Sequence, residues 1–361
     1  MSDLRHGGRL AGLDVVRGVA LIGVCAMNYH GYLINRGGQR GDGWTTVLDP
    51  WTGPLSTRFA ATFVVVAGIG ISLLTTDARR TRHPNTVMAR RLTLVRRGVL
   101  LLAGGLVLDW VWPGTILFFY GGYFLVSALL ITLADRWLIL IGAASALSAT
   151  AIRWWVMVRS DGGHETAWLL YGEAEANHSP RDLVLDLAVR GTHPLLPWLA
   201  FLTIGMVLGR RLPLTGQARA TWAFGGVLAV VLGFGLEQTL GVDLVLRSTD
   251  PFDWALPYTL TAGGTAVVAV IAISALADRW PTALATRALA VTGRSTLTLY
   301  VLHALVFNLV VDWLGWIEPG SIWNAFLLAL AYWIVAVMIA NAWASRHEHG
   351  PLEAAYRAFS G

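Results

Sequence analysis

The stretch RLAGLDVVRGVALIGVCAMNYHG, from Arg9 to Gly31, is an apolar run with charges at its start and hydrogen-bonding side chains at its end. Its length fits a transmembrane helix. Asp14 and Arg17 stand three residues apart, a spacing that allows an ion pair on one helix face. A charge at the centre of such a helix costs about 2.5–3.5 kcal/mol on insertion scales, so we expect this pair near the membrane interface.

One face of this first span is polar at both ends. Spacings of three or four place five residues in one stripe, about 20 Å long at 1.5 Å per residue: Asp14, Arg17, Leu21, Val24 and Asn28. His30 follows, and one alternative is that Gly31 ends the helix and lets His30 turn inward. A snorkelling Arg17 and an Asn28 in a helix–helix contact would explain the same residues without any chemistry.

The composition indicates an all-α, polytopic integral membrane protein. Of the 361 residues 55% are hydrophobic and only 14% are charged, whereas soluble domains carry about 25% charged residues. All 27 basic residues are arginine. The net charge of +5 is typical of a nucleic-acid binder, but the arginines cluster in short segments between apolar runs, as the positive-inside rule describes. We therefore expect membrane lipids as partners and no nucleic acid.

Ten apolar runs predict about ten transmembrane helices in one domain over 1–361. Their ranges are 14–33, 56–76, 93–111, 115–134, 137–158, 194–209, 219–240, 257–277, 295–314 and 322–344. With the N-terminus inside, most arginines fall on the inner side, including Arg79, Arg80, Arg90, Arg91, Arg210, Arg211 and Arg346. We therefore expect both termini in the cytoplasm, a cytoplasmic tail at 345–361, and a location in the plasma (bacterial inner) membrane.

Two long outer segments are expected, near 35–54 and 159–193, and loops of this length often bind ligands or act as lids. In the second, Leu183, Leu187 and Arg190 recur at helical spacing and predict a short amphipathic helix. That segment also holds several metal-ligand residue types: His164, Glu165, Glu173, Glu175, His178, Asp182 and Asp186. Because neither HxxxH nor HExxH spacing is present, we expect no metal site.

The ninth span carries the second group of polar residues within an apolar run. Thr296, Tyr300, His303 and Phe307 follow a three-to-four spacing and share a face, and His303 falls near mid-depth. A histidine inside a membrane usually faces the bundle interior or a water-filled cavity. The alternative is a histidine that only hydrogen-bonds a backbone carbonyl or a neighbouring tyrosine.

His193 lies at the start of the sixth span, directly before Pro194, which suits the first helical turn. The positive end of the helix dipole favours the neutral imidazole there. A neutral histidine is a candidate base or substrate-binding group, and a plain helix-start residue is the alternative.

Five stretches together resemble the transmembrane acyltransferase superfamily, in its branch that includes the YeiB-like and heparan-alpha-glucosaminide N-acetyltransferase-like proteins. They are RLAGLDVVRGVALIGVCAMN, STRFAATFVVVAGIGISLL, HPLLPWLAFLTIGMVLGR, GRSTLTLYVLH and, in the tail, HGPLEAAYRAF. The resemblance implies one acyltransferase-like domain that moves an acyl group, with acetyl expected, from cytosolic acyl-CoA. The implied acceptor is a hydroxyl or amine of a cell-envelope glycan or lipid, in or across the membrane.

The resemblance also implies roles for particular residues. In the O-acyltransferase branch, a catalytic histidine occupies the position that is Asn28 in this chain. In the heparan-type branch, the catalytic histidine occupies a later position, which is Gln39 here. The general base is therefore expected to be His30 or His303, with the Asn28 amide as oxyanion donor. The substrate-binding candidates are Asp14, Arg17, Arg96, Arg97, His193, Arg294 and Tyr300.

Among these candidates, four arginines lie at the expected inner face, where cations can hold the phosphates of CoA: Arg17, Arg96, Arg97 and Arg294.

A transporter or flippase without covalent chemistry would use the same polar stripe as a substrate path, and inverted repeats would favour it. An enzymatically silent membrane partner is a third alternative. The oligomeric state stays open, with a homodimer as one candidate.

Overall fold

The computed structural model describes residues 11–170, 179–239 and 243–361, and the helical class predicted from the sequence is confirmed. Throughout these three ranges the chain forms helices and no strands. Glu173, Glu175 and His178, named above as metal-ligand residue types, lie outside the described residues.

Fifteen α-helices run along the described chain. They are α1 Ala11–Ile34, α2 Arg58–Leu74, α3 Thr76–Thr81, α4 Pro84–Asp109, α5 Ile116–Leu130, α6 Asp135–Asp161, α7 Pro180–Leu185, α8 Leu195–Arg210, α9 Gly216–Glu237, α10 Leu244–Arg247, α11 Leu256–Arg279, α12 Leu284–Arg294, α13 Thr296–Phe307, α14 Ile322–Ala344 and α15 Pro351–Ser360. Short 3-10 helices occupy Gly43–Leu48 and Ala167–Leu169, and π-helical turns occupy Asp186–Arg190 and Asn308–Trp313.

The helices make this chain a multi-pass integral membrane protein. In the described part, six are long and apolar enough to cross a membrane: α1, α6, α9, α11, α13 with its π-helical turn, and α14. The pair Pro180–Arg190 and Leu195–Arg210 qualifies as a seventh span if the two helices, bent by 57°, are counted together. Helices α2 and α5 are apolar but shorter, and α4 carries several arginines in its first half.

In the segment 159–193, the helix predicted from the leucine spacing is present. Helix α7 continues into the π-helical turn at Asp186–Arg190. Arg190 pairs with Asp182 at 2.6 Å and with Asp186 at 2.5 Å. Arg190 therefore pairs with two of the acidic residues noted in the sequence.

The chain divides into two compact units. The first contains residues up to Val66 together with Ala266–Phe359, and the second contains Ala67–Thr265 with the last two residues. In the second unit, α4 packs on α5 and α6 packs on α8. Close approach in this unit uses small residues, since a side chain at Gly98 or Gly121 would meet the backbone or a leucine of the facing helix.

In the first unit, α1 is a buried helix that packs against α12, α13 and α14. It continues past Gly31 to Ile34, so the alternative in which Gly31 ends the helix is wrong. His30 is nevertheless only 1% exposed, because Pro50 of the following loop and Phe326 of α14 cover this end of the helix.

Helices α1 and α12 meet through glycine. A Cβ added at Gly18 would lie 2.6 Å from the Leu289 carbonyl oxygen, and one at Gly293 would overlap the carbonyl of Asp14. The backbones can approach this closely only because neither glycine has a side chain. This contact holds α12, and with it the start of α13, against α1.

The substitution Gly293→Ala should therefore destabilise the first unit. Overpacking of a tight contact costs about 1–3 kcal/mol, so we expect a lower unfolding temperature in detergent. Gly104→Ala is the matched control, since an added Cβ at Gly104 of α4 would meet nothing within 4 Å. Equal unfolding temperatures for the two variants would contradict the close approach of α1 and α12.

Candidate functional site

The charged start of α1 forms the ion pair expected from its spacing. Arg17 Nη1 donates to Asp14 Oδ1 at 2.8 Å. The Asp14 side chain is only 4% exposed, and that of Arg17 is 26% exposed. Since a buried carboxylate needs a partner, the pair satisfies Asp14, and part of the Arg17 side chain stays exposed.

At the other end of the polar stripe, α1 meets α13 through a side-chain hydrogen bond. Asn28 Nδ2 lies 3.3 Å from His303 Nε2. The sequence-predicted candidates Asn28 and His303 therefore share one place in the first unit. His303 is fully buried whereas Asn28 is only partly buried, so the pair is open on the Asn28 side.

The hydrogen bonds of His303 define its tautomer. Its Nδ1 lies in contact with the Tyr300 carbonyl, which can only accept, so Nδ1 carries the proton. The Nε2 atom then holds a lone pair, and the Asn28 amide donates to it. His303 is consequently a neutral imidazole whose basic nitrogen points at Asn28, an arrangement suited to proton transfer.

Aromatic side chains surround this histidine, and two of them were not identified from the sequence. Tyr29 donates its hydroxyl to the His303 carbonyl at 2.8 Å and stacks on the imidazole with ring centroids 5.8 Å apart. Tyr332 lies 6.5 Å away and donates to the Leu299 carbonyl at 2.6 Å. Tyr300, which was predicted, lies 4.8 Å away. A polar hydroxyl within an apolar span is the signal that could have identified Tyr29 and Tyr332.

His30 makes a different set of contacts. Its Nδ1 donates to the Leu48 carbonyl at 2.9 Å, and its ring lies 5.8 Å from that of Phe326. In the part of the chain that the structure describes, its buried Nε2 has no hydrogen-bond partner. The second candidate base thus binds the loop that contains Leu48 instead of sharing the contact between Asn28 and His303.

The loop that receives His30 is built around Asp49. One carboxylate oxygen accepts from the amides of Trp51 at 2.8 Å and Thr52 at 2.9 Å, and Arg40 lies 3.9 Å from the other oxygen. Burial opposes ionisation of Asp49, but the Thr52 and Trp51 amides and Arg40 outweigh it, so the pKa of this carboxyl lies below its ordinary value. The ionised Asp49 holds the turn in which Leu48 faces His30.

Three predicted binding residues belong to the second unit. Arg96 is exposed on α4, and Arg97 donates from Nε to the Ser360 hydroxyl at 3.2 Å. The ring of His193 lies 4.6 Å from Trp198, its Nδ1 donates to the Thr192 hydroxyl at 2.9 Å, and its carbonyl accepts from Tyr123.

His193 therefore packs against aromatic rings directly before α8. Arg294, in the first unit, ends α12 immediately before Ser295. Within the described ranges, no group of three or more His, Cys, Asp or Glu side chains is placed to hold a metal ion.

Two family descriptions match the chain. "Heparan-alpha-glucosaminide N-acetyltransferase, catalytic" matches residues 9–240, which is more than half of the sequence. The chain belongs to this family. "Protein of unknown function (DUF418)" matches residues 208–360, so the two matches together span residues 9–360. No curated protein matches the chain by sequence.

The two matches confirm the membrane acyltransferase branch that the sequence resembled. The acetyltransferase family implies an acyl-CoA co-substrate in general terms. Asn28 lies in the range matched by the acetyltransferase family, and His303 lies in the range matched by the family of unknown function. The contact between them therefore joins residues that the two descriptions treat separately.

Replacing Asp49 by alanine should loosen the loop that binds His30. Hydrogen bonds to a charged group contribute about 1.5–3 kcal/mol, so loss of the Asp49 carboxylate should speed amide hydrogen exchange over residues 49–53. Asp42→Ala is the control, since the Asp42 side chain makes no capping hydrogen bond. Exchange that is equal in the two variants would contradict this role of Asp49.

The effect should depend on pH in one direction. Because the folded-state pKa of Asp49 is lowered, its stabilisation is fully present above the ordinary value of 3.8 and is lost as the pH falls through the lowered value. The difference in exchange between Asp49→Ala and the wild type should therefore be largest near neutral pH and shrink in acid.

Proposed function

We propose that this protein is a membrane-embedded acyltransferase that moves an acetyl group from cytosolic acetyl-CoA to a hydroxyl or amine of a glycan or lipid acceptor. The observation that carries the proposal is the contact between Asn28 and the neutral, buried His303. Membership in the acetyltransferase family supplies the reaction class.

In this proposal His303 is the general base. Its Nε2 takes the proton of the acceptor O–H or N–H while the acceptor oxygen or nitrogen attacks the thioester carbonyl carbon. When the C–S bond breaks, the proton on Nε2 passes to the CoA sulfur, so the histidine returns to its neutral state. The Tyr300 carbonyl supports this cycle, because it holds the Nδ1 proton in place throughout.

Asn28 is the proposed oxyanion donor. At rest its amide donates to His303 Nε2. When the acceptor hydroxyl replaces the amide at that nitrogen, the N–H group becomes available for the thioester oxygen, which gains negative charge in the transition state. A donor of this kind contributes about 10²–10³-fold to the rate.

His303 is preferred over His30 because only His303 contacts a second polar side chain suited to the reaction. His30 uses its Nδ1 to hold the Leu48 carbonyl, and this contact gives it a role in ordering the first outer segment. The other proposed contacts are arginines for the CoA phosphates, through the exposed part of Arg17 and through Arg96, Arg97 and Arg294.

We further propose ten membrane spans with both termini in the cytoplasm, in the bacterial inner membrane. The arginine distribution supports this orientation. Helices α2, α4 and α5, together with the bent pair that ends in α8, would supply the spans beyond the six long apolar helices.

Cysteine labelling tests the orientation. In a Cys25→Ala background, which removes the only cysteine, Arg79→Cys and Arg346→Cys should resist a membrane-impermeant maleimide in intact cells. Glu318→Cys, in the exposed segment between α13 and α14, should react. Outside labelling of Arg79→Cys or Arg346→Cys would overturn the topology.

Substitution of the two histidines separates their roles. His303→Ala should lower the rate of acetyl-CoA turnover by about 10²–10⁴-fold, since a general base contributes that much. Asn28→Ala should lower kcat more than it weakens CoA binding, because the donor acts mainly in the transition state. Turnover is measured as release of free CoA by protein in vesicles, with envelope glycans or lipids as acceptors.

His83→Ala is the control, since this histidine is exposed and lies before α4. Full activity of His303→Ala together with loss of activity in His30→Ala would reverse the assignment of the base. Wild-type protein that neither binds CoA nor releases it from acetyl-CoA would contradict the enzyme proposal and favour a transporter.

A further inference from the structure

Helix α13, which carries Tyr300 and His303, begins without a cap from its own sequence. Ser295 occupies the position before the first helical residue, and its side chain makes no capping hydrogen bond. The first N–H groups of an α-helix have no partner within the helix. The start of α13 therefore needs acceptors from elsewhere.

The acceptors come from Glu353, in the C-terminal helix α15. Its Oε1 accepts from the Leu297 amide at 2.5 Å and from the Thr298 amide at 3.1 Å. Its Oε2 accepts from the Thr298 hydroxyl at 2.6 Å. All three partners donate, which is the pattern that an ionised carboxylate satisfies. A negative charge at this position also interacts favourably with the helix dipole.

The residues beside Glu353 fit this contact closely. A Cβ at Gly350 would lie 2.8 Å from the Thr298 hydroxyl oxygen and would overlap the Glu353 carboxylate. The Leu352 amide donates to the Thr298 hydroxyl at 3.1 Å. Pro351 starts α15, where a missing N–H is tolerated. The tail motif Gly-Pro-Leu-Glu is therefore built as a cap for a helix more than fifty residues earlier in the chain.

The capped turn is also the turn that orients His303. Directly after Thr298, the Leu299 carbonyl accepts from the Tyr332 hydroxyl, and the Tyr300 carbonyl accepts the Nδ1 proton of His303. The position of the Tyr300 carbonyl depends on the geometry of this first turn. A shift of the turn would therefore rotate the imidazole away from Asn28.

We propose that Glu353 is a positioning residue for His303, acting by capping the first turn of α13. The inference rests on the proposed function only for its effect on turnover. The C-terminal motif of the tail thereby gains a role at the acyl-transfer site without touching either substrate.

The test uses full-length protein in detergent, with Glu353→Gln as the main variant. Glutamine keeps the shape of the side chain but replaces the negative charge and one acceptor oxygen with a donor. Thr298→Val is a second variant that removes the hydroxyl partner without touching the tail. Glu348→Gln is the matched control, since the Glu348 side chain in the same segment is 77% exposed.

Three quantities are measured: amide exchange over residues 296–303, the slow exchange of the His303 C2 hydrogen, and the kinetics of acetyl-CoA hydrolysis. In Glu353→Gln we expect faster amide exchange, a changed C2 exchange rate at His303 and an unchanged rate at His30. We expect kcat to fall by about 10–100-fold, as for small misplacements of a catalytic group, with the KM for acetyl-CoA unchanged. Thr298→Val should change the same quantities in the same direction, and Glu348→Gln none of them.

Two outcomes would overturn the inference. Amide exchange unchanged in both Glu353→Gln and Thr298→Val would show that the cap does not stabilise the turn. Faster amide exchange with unaltered C2 exchange at His303 would show a purely structural cap. If the wild-type protein does not hydrolyse acetyl-CoA, the proposed function fails on its own, and the two exchange measurements still decide the role of Glu353.

Discussion

Burial of α1 between α12, α13 and α14 is the constraint on which the first unit depends. On a helix covered on several sides in an apolar environment, unpaired polar groups are costly. Asp14 therefore binds Arg17, Tyr29 binds the His303 carbonyl, and His30 binds the Leu48 carbonyl. The bonds of Tyr29 and His30 each reach a neighbouring element, so polar residues of one helix help to determine where α13 and the loop that contains Leu48 lie.

Much of this arrangement could be predicted from the sequence. The spacing of Asp14 and Arg17 predicted their ion pair, and the polar stripe of α1 and the face of α13 identified Asn28 and His303 as candidates. Apolar runs located the helices because hydropathy reports local composition. Hydropathy alone does not fix the number of runs that cross the membrane, because α2 and α5 are short and α4 combines an apolar half with arginines.

The contacts between distant segments could not be predicted in the same way. Nothing in the local sequence indicates that Tyr29 faces His303 or that Glu353 lies at the start of α13. The first contact joins residues 274 positions apart, and the second joins residues 55 positions apart. The end of α1 was also open, since a glycine such as Gly31 can either end a helix or permit close packing. Here tertiary packing decides, and the helix continues.

The separation of Asn28 and His303 by 275 positions has a consequence for biosynthesis. A nascent chain inserts its helices in order, so Asn28 enters the membrane long before the segment that contains His303 leaves the ribosome. The two side chains meet only after nearly the whole polypeptide has been made and the last helices have docked. Partly synthesised or truncated chains that end before α13 therefore lack this pair of side chains.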